Sequence, residues 1–232
     1  MTYARSIHAA ALAAALVAVP GLAVGQGFVG AELSAELATL TEDRTFGSTS
    51  YGGGVEFSLV YGLSVGVDVS AHDWRGISGR SSAVTLHGIY ELSPGTSVGV
   101  YWARESLPSD RATTYGLEGA LALGDLDLAG HLGHYEADTV SGEFLGLSAS
   151  YALGHAFALT GGVDAVNGDM DFTVASLGGE YRFAGGPVVF GEVRQMSADD
   201  LSDTYLSIGA RIELGQGTTF GSRGISDGRP VF

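Results

Sequence analysis

The chain has 232 residues, a net charge of -15, 37 glycines and no cysteine, and all eleven of its bases are arginine. A chain this acidic repels nucleic acid, whose binding rests on cation–phosphate contacts, and favours cations as ligands or permeants. Beyond residue 25 no apolar run approaches the ~18 residues that a membrane-spanning helix needs, which excludes a helical-bundle membrane protein.

Residues 1–25 read as an export leader. Arg5 supplies the basic end, Ala9 to Val19 form a short apolar stretch, Pro20 breaks it, and Ala23-Val24-Gly25 offers small residues for cleavage before Gln26. From Gly27 onward, segments of about ten residues alternate apolar with small or polar positions, the period of a strand. Leu63, Val65, Val67, Val69 and Ala71 fall on one face; Ser64, Gly66, Asp68, Ser70 and His72 fall on the other. The last clear segment puts Leu206, Ile208, Ala210, Ile212 and Leu214 opposite Tyr205, Ser207, Gly209, Arg211 and Glu213. The pattern predicts strands near 27–38, 49–60, 63–72, 81–92, 95–105, 113–123, 126–136, 142–153, 155–166, 171–183, 187–196 and 204–214. Ile89 and Phe190 break the pattern on the polar face, and His134 breaks it on the apolar one.

The connections alternate in length. Tight turns fall at Tyr61-Gly62-Leu63, Ser93-Pro94-Gly95, Gly124-Asp125, Gly154-His155 and Ala184-Gly185-Gly186, and longer polar loops fall between them. This is the pattern of an antiparallel transmembrane β-barrel of about twelve strands, with tight turns in the periplasm and longer loops outside. A soluble β-sandwich would show Lys, Glu and Thr on its exposed face. Here one face is nearly unbroken Val, Leu and aromatic, which would aggregate in water and is satisfied in lipid. Closure also leaves no unpaired sheet edge in the bilayer. Aromatics suggest two interfacial girdles: Tyr61, Tyr90, Tyr151, Phe157, Tyr181 and Phe183 at the turn ends, and Tyr51, Trp102, Tyr115 and Phe172 at the loop ends. The expected organisation is a signal peptide over 1–25, a barrel over 26–214 and a C-terminal tail over 215–232.

The leader, the glycine-rich alternating strands and the terminal Phe232 together resemble the Gram-negative porin-like outer-membrane barrels, particularly those of alphaproteobacteria. The resemblance covers 26–232 and implies a passive channel for small hydrophilic solutes. Two features depart from the large porins of this kind. The chain is short for a porin of about sixteen strands, and no loop is long enough to fold in as a constriction. Leu214 ends the last evident strand, and Gly215–Pro230 intervene before Val231-Phe232. Either the tail packs in the periplasmic mouth or the last strand lies further on.

No enzyme is expected. Gly-x-Ser-x-Gly occurs at Gly62–Gly66 and Gly95–Gly99, but both strings open a strand after a tight turn, whereas a nucleophile elbow joins a strand to a helix. Neither His87 nor His131 has an acid evidently placed to orient it. His131 and His134 are three apart and face opposite ways, so no local metal site forms, and no cofactor is expected. The acids of the longer loops read first as solvation, and otherwise as divalent-cation sites bridging lipopolysaccharide phosphates. Expected partners are outer-membrane lipid and lipopolysaccharide, with small solutes or cations in the lumen; oligomeric state is not legible.

A charge facing lipid near the midplane costs ~2–4 kcal/mol for Arg, so charged strand residues must point inward. By parity the pore-lining set is Glu32, Glu56, Asp68, Glu118, Glu180, Arg182, Glu192, Arg194, Arg211 and Glu213. Most inward Arg falls on the last three strands. Glu180 should come within diagonal reach of Glu192, and Arg211 should approach Glu32 across the closure. The opposite wall, with Glu56, Asp68 and Glu118, has few bases. The inward residues are small and no plug is evident, so the expectation is a narrow, cation-preferring channel. The alternative is a closed structural or interaction barrel without a pore.

Overall fold

The computed structural model describes residues 27–75, 79–108, 110–169, 171–198 and 201–226; the leader read over 1–25 lies outside them. The described chain forms twelve strands: β1 (Phe28–Leu40), β2 (Gly47–Val60), β3 (Leu63–Arg75), β4 (Gly79–Ser93), β5 (Thr96–Ser106), β6 (Arg111–Leu123), β7 (Leu126–Ala137), β8 (Ser141–Ala152), β9 (Phe157–Gly168), β10 (Phe172–Arg182), β11 (Val188–Ala198) and β12 (Leu201–Gly215). Each pairs antiparallel with its sequence neighbours, and β12 pairs with β1 to close the barrel. The closing register sets Glu32 opposite Glu213 and Leu37 opposite Ile208.

The alternation read from sequence is the alternation between lipid and lumen. Outward residues such as Leu37, Val100, Leu132, Leu147, Leu177 and Ile208 stay exposed on the isolated chain, as a lipid-facing belt requires. Inward residues such as Asp68, Thr85, His87, Glu105 and Glu118 are buried. Tyr61, Tyr90, Tyr151 and Phe183 stand exposed at the turn ends, with Tyr51, Trp102 and Tyr115 exposed toward the loop ends. Phe172 departs from the expected girdle. It points inward and packs with Val174, Met196 and Tyr205 on one side and with Tyr135, Phe144 and Val166 on the other. Ile89 and Phe190 are also inward, Ile89 buried and Phe190 lining a lumen cavity. His134 lies outward beside Tyr115, with ring centroids 5.6 Å apart.

The tail overturns the expectation of an unplugged lumen. β12 ends at the turn side, where Gly215 pairs with Gly30. The chain then reverses through Gly215 (φ 66°) and Gly217 (φ 74°), a left-handed backbone that Gly adopts without steric cost. It reverses directly over Gly30, where a Cβ would collide with the backbone of Gly217. Residues 218–226 then run up inside the barrel. Phe220 and Ile225 are buried, and Ile225 joins the apolar cluster of Tyr101, Tyr135, Phe144 and Val166 near the loop ends. The tail therefore packs far beyond the turn-side mouth, while β12 ends one residue past the strand read from sequence.

Candidate functional site: the barrel lumen

The lumen has two charged walls with the tail between them. On β10–β12 and β1 the arginines and glutamates form a ladder. Arg211 donates from both terminal nitrogens to Glu180, at 2.6 Å each, and from Nε to Glu213 at 2.7 Å. Arg182 donates to the other oxygen of Glu213 at 2.6 Å. One level outward, Arg194 grips Glu36 across the closure with two hydrogen bonds of 2.9 and 3.0 Å, and its Nε bonds Glu192. Such bidentate, charge-assisted pairs fix geometry strongly. The register puts Glu192 on the diagonal from Glu180, as expected, but the two bond different arginines: Glu180 bonds Arg211 and Glu192 bonds Arg194. Glu32 stands directly opposite Glu213 and close enough to Arg211 to interact with its charge.

The facing wall carries Glu56, Asp68 and Glu118. His87 joins two of them: Nδ1 is 2.6 Å from Glu118 Oε1, and Nε2 lies 3.2 Å from Asp68 Oδ2. His87 thus does have acids beside it, which sequence alone did not place. The tail supplies the remaining partners. Thr219 N–H donates to Glu56 at 2.9 Å, Arg223 Nε donates to Glu118 at 3.0 Å, and the Phe220 ring stacks on His87. Arg223 N–H donates to Thr85, and Thr114 donates to the Arg223 carbonyl. Toward the loop end, Glu105 accepts from the N–H groups of Ile225 and Ser226 and from the Ser226 hydroxyl. The wall expected to have few bases is served by Arg223 from the tail.

The predicted charges sit on these two walls, and their lining of a pore is a proposal taken up below; the tail residues Thr219, Phe220, Arg223 and Ile225, together with Glu105, lie outside the predicted set. The tail has no strand period, and its contacts join residues more than a hundred positions apart. The one available signal was composition: a segment with a single buried-compatible Phe and Ile beside one Arg.

Space remains around the tail. A cavity of about 250 Å³ runs along β1–β3 from Phe46 and Trp74 near the loop ends to Glu32, Gly54 and Asp68. A second, of about 410 Å³, opens at the turn side between Glu32, Asp127, Glu180, Arg182, Arg211 and Glu213. Glu32 forms part of the wall of both. A third, of about 350 Å³, lies on the other side of the tail between His131, Asp164, Glu192 and Arg223. In the first, Ser50 Oγ is 2.8 Å from His72 Nδ1. A catalytic triad gives that ring nitrogen to its carboxylate, so the pair has the geometry of a wall hydrogen bond rather than of an activated nucleophile.

Comparisons with known proteins agree with this architecture. No curated protein matches in sequence. Among solved structures, the KdgM porin superposes with a TM-score of 0.62 at 13% identity, over 78% of this chain and 98% of that one. The NanC porin gives 0.61 at 10% identity, over 78% and 98%. An outer-membrane channel from Pseudomonas putida F1 gives 0.58 at 10% identity, over 83% and 97%. Residues 42–201 match the family model for Gram-negative porins. A closed twelve-stranded barrel with a lipid-facing belt, a charged interior and that family match together place the chain in the Gram-negative porin family of outer-membrane channels.

Proposed function

We propose that the protein is a narrow outer-membrane channel for small hydrophilic solutes, that it prefers cations, and that solutes pass between the tail and the wall of β1–β3 and β10–β12. The observation that carries this reading is Glu32, which forms part of the wall of both the loop-side and the turn-side cavity. Inward acids outnumber inward guanidinium groups: Arg182, Arg194, Arg211 and Arg223 face at least Glu32, Glu36, Glu56, Asp68, Glu105, Glu118, Glu180, Glu192 and Glu213. A narrow, low-dielectric lumen focuses that field. Export by a leader over 1–25 and lipopolysaccharide on the outer leaflet belong to the same proposal. One KdgM structure is a complex with disordered oligogalacturonate, an acidic ligand that the surplus of carboxylates here would disfavour.

The test is conductance of the mature chain in a planar bilayer under a salt gradient. Stepwise openings with a reversal potential of cation-selective sign are expected, with selectivity reduced in Glu32→Gln. Selectivity indifferent to Glu32→Gln would remove Glu32 from the path. A closed barrel is the second reading, and one observation favours it: Ile225 seals against an apolar cluster near the loop ends. Silence from protein shown to be folded would make that reading the better one.

A further inference from the structure

The tail is attached to the barrel differently from every strand. Strands are held by continuous backbone ladders, so none can leave without opening the sheet. Residues 218–226 pair with no strand. The backbone N–H groups of Thr219, Arg223, Ile225 and Ser226 instead donate to side chains of the wall, namely Glu56, Thr85 and Glu105. Water can replace each of those contacts, and the barrel keeps all its own hydrogen bonds if the tail departs. Between Gln216 and Ser226 the tail carries a single charged residue, Arg223. Its guanidinium bonds Glu118 at 3.0 Å and lies 6.0 Å from the centroid of the Tyr101 ring. A carboxylate beside an aromatic face is a receptor for a planar cation. The cavity of about 350 Å³ on the other side of the tail reaches Arg223 itself, past His131, Asp164 and Glu192.

We propose that residues 218–226 are a displaceable plug seated by Arg223 in a guanidinium-binding site formed by Glu118 and Tyr101, and that small guanidinium-bearing solutes compete for this site and open the lumen. The proposal rests on the channel reading above and names both its closing element and a class of solute that opens it. The geometry accounts for both halves. The solute would take the Glu118 hydrogen bond and the Tyr101 face that Arg223 now holds, leaving the tail with only its backbone N–H and Ser226 hydroxyl donors to Glu56, Thr85 and Glu105.

The test uses the mature full-length chain in planar bilayers, with heat-dependent gel migration to establish folding. Three changes probe the tail. One replaces 218–226 with Gly and Ser while keeping 227–232. One is Arg223→Gln. The third pairs Ser70→Cys with Ser222→Cys, whose hydroxyl oxygens lie 3.3 Å apart, in a chain with no other cysteine. Tail replacement should raise mean conductance several-fold. Arg223→Gln should raise the open-to-closed ratio about tenfold, the order expected for losing one charge-assisted hydrogen bond. Methylguanidinium chloride should raise the open fraction of the unmodified chain above that in sodium chloride of equal ionic strength. The oxidised cysteine pair should abolish that response, and reduction should restore it. If the replaced tail conducts like the original and oxidation changes nothing, the plug is overturned while the channel stands. If methylguanidinium acts no differently from sodium, the guanidinium site is overturned. If the replaced-tail protein is folded and silent, the channel reading itself fails, and this proposal falls with it.

Discussion

Replacing Arg211 with Gln removes the centre of the turn-side ladder. Arg211 makes three hydrogen bonds, two to Glu180 and one to Glu213, and Glu32 stands opposite Glu213 in the closing register. Arg182 cannot take over both acids, because it is already committed to Glu213. The side chains of Arg211, Glu180 and Glu213 are between 18% and 21% exposed. That places the pairs between surface bridges worth ~0–1 kcal/mol and buried ones whose breakage costs ~3–5 kcal/mol. A loss of stability of about 2 kcal/mol follows for a partly hydrated lumen. One unbalanced unit charge ~7 Å from a passing ion contributes ~0.6 kcal/mol at the permittivity of water before salt screening, or roughly threefold in permeability ratio. Reversal potentials in a dilute potassium chloride gradient should move toward stronger cation preference by a factor of that order. The heat needed to unfold the barrel in detergent should fall in parallel. A variant with a lower unfolding temperature and an unmoved reversal potential would show that the ladder braces the barrel without facing the ion path, and the reasoning would be wrong.

Changing Glu56, Asp68 and Glu118 together to Gln should reduce cation preference, measured in the same gradient; an unchanged reversal potential would separate that wall from permeation. Glu105→Gln should loosen the end of the tail, seen as faster amide hydrogen exchange at Ile225 and Ser226 with the strand amides unaffected, whereas equal protection would show that Glu105 does not hold it. An epitope inserted in the loop at 41–46 should be reachable on intact cells and one at Gly124 should not; the opposite result would invert the barrel. In the same outer loop, hydrogen bonds from the Thr45 hydroxyl and N–H, at 2.7 and 2.9 Å, hold the Asp43 carboxyl below its ordinary pKa. The order they give the turn is present above the ordinary carboxylate range and is lost as pH falls through the lowered value. Exchange at Thr45 should therefore quicken only in acid, and Asp43→Asn should weaken the turn at neutral pH.

The strands were legible because lipid and lumen impose opposite demands on alternate residues, so every predicted boundary falls within three residues of the observed one. Parity assigns the charges from Glu32 to Glu213 to the lumen face of their strands, and their lining of an ion path is the proposal made above. Pairings were less legible. Glu36 and Arg194 are 158 positions apart and meet only because β12 closes on β1. A long guanidinium side chain reaches across the intervening strand to Glu36, a partner that no diagonal on one hairpin includes. Phe172 sits on the lumen face of β10 and could be assigned to a girdle only by ignoring its parity with Val174. The tail was the largest omission. A segment with no period, seated by hydrogen bonds to Glu56 and Glu105, leaves no local trace in sequence, since its partners lie 163 and 120 positions away.

On the proposed path ions cross the lumen past Glu32, which lines both the loop-side and the turn-side cavity. The most direct measurement is single-channel recording of the chain without residues 1–25, its folding checked by heat-dependent gel migration, in a potassium chloride gradient, with Glu32→Gln and Glu32→Arg alongside. The account predicts stepwise openings with a cation-selective reversal potential, weakened by the first substitution and driven toward anions by the second. Folded protein that never opens, or openings whose reversal potential ignores the charge at position 32, would contradict it.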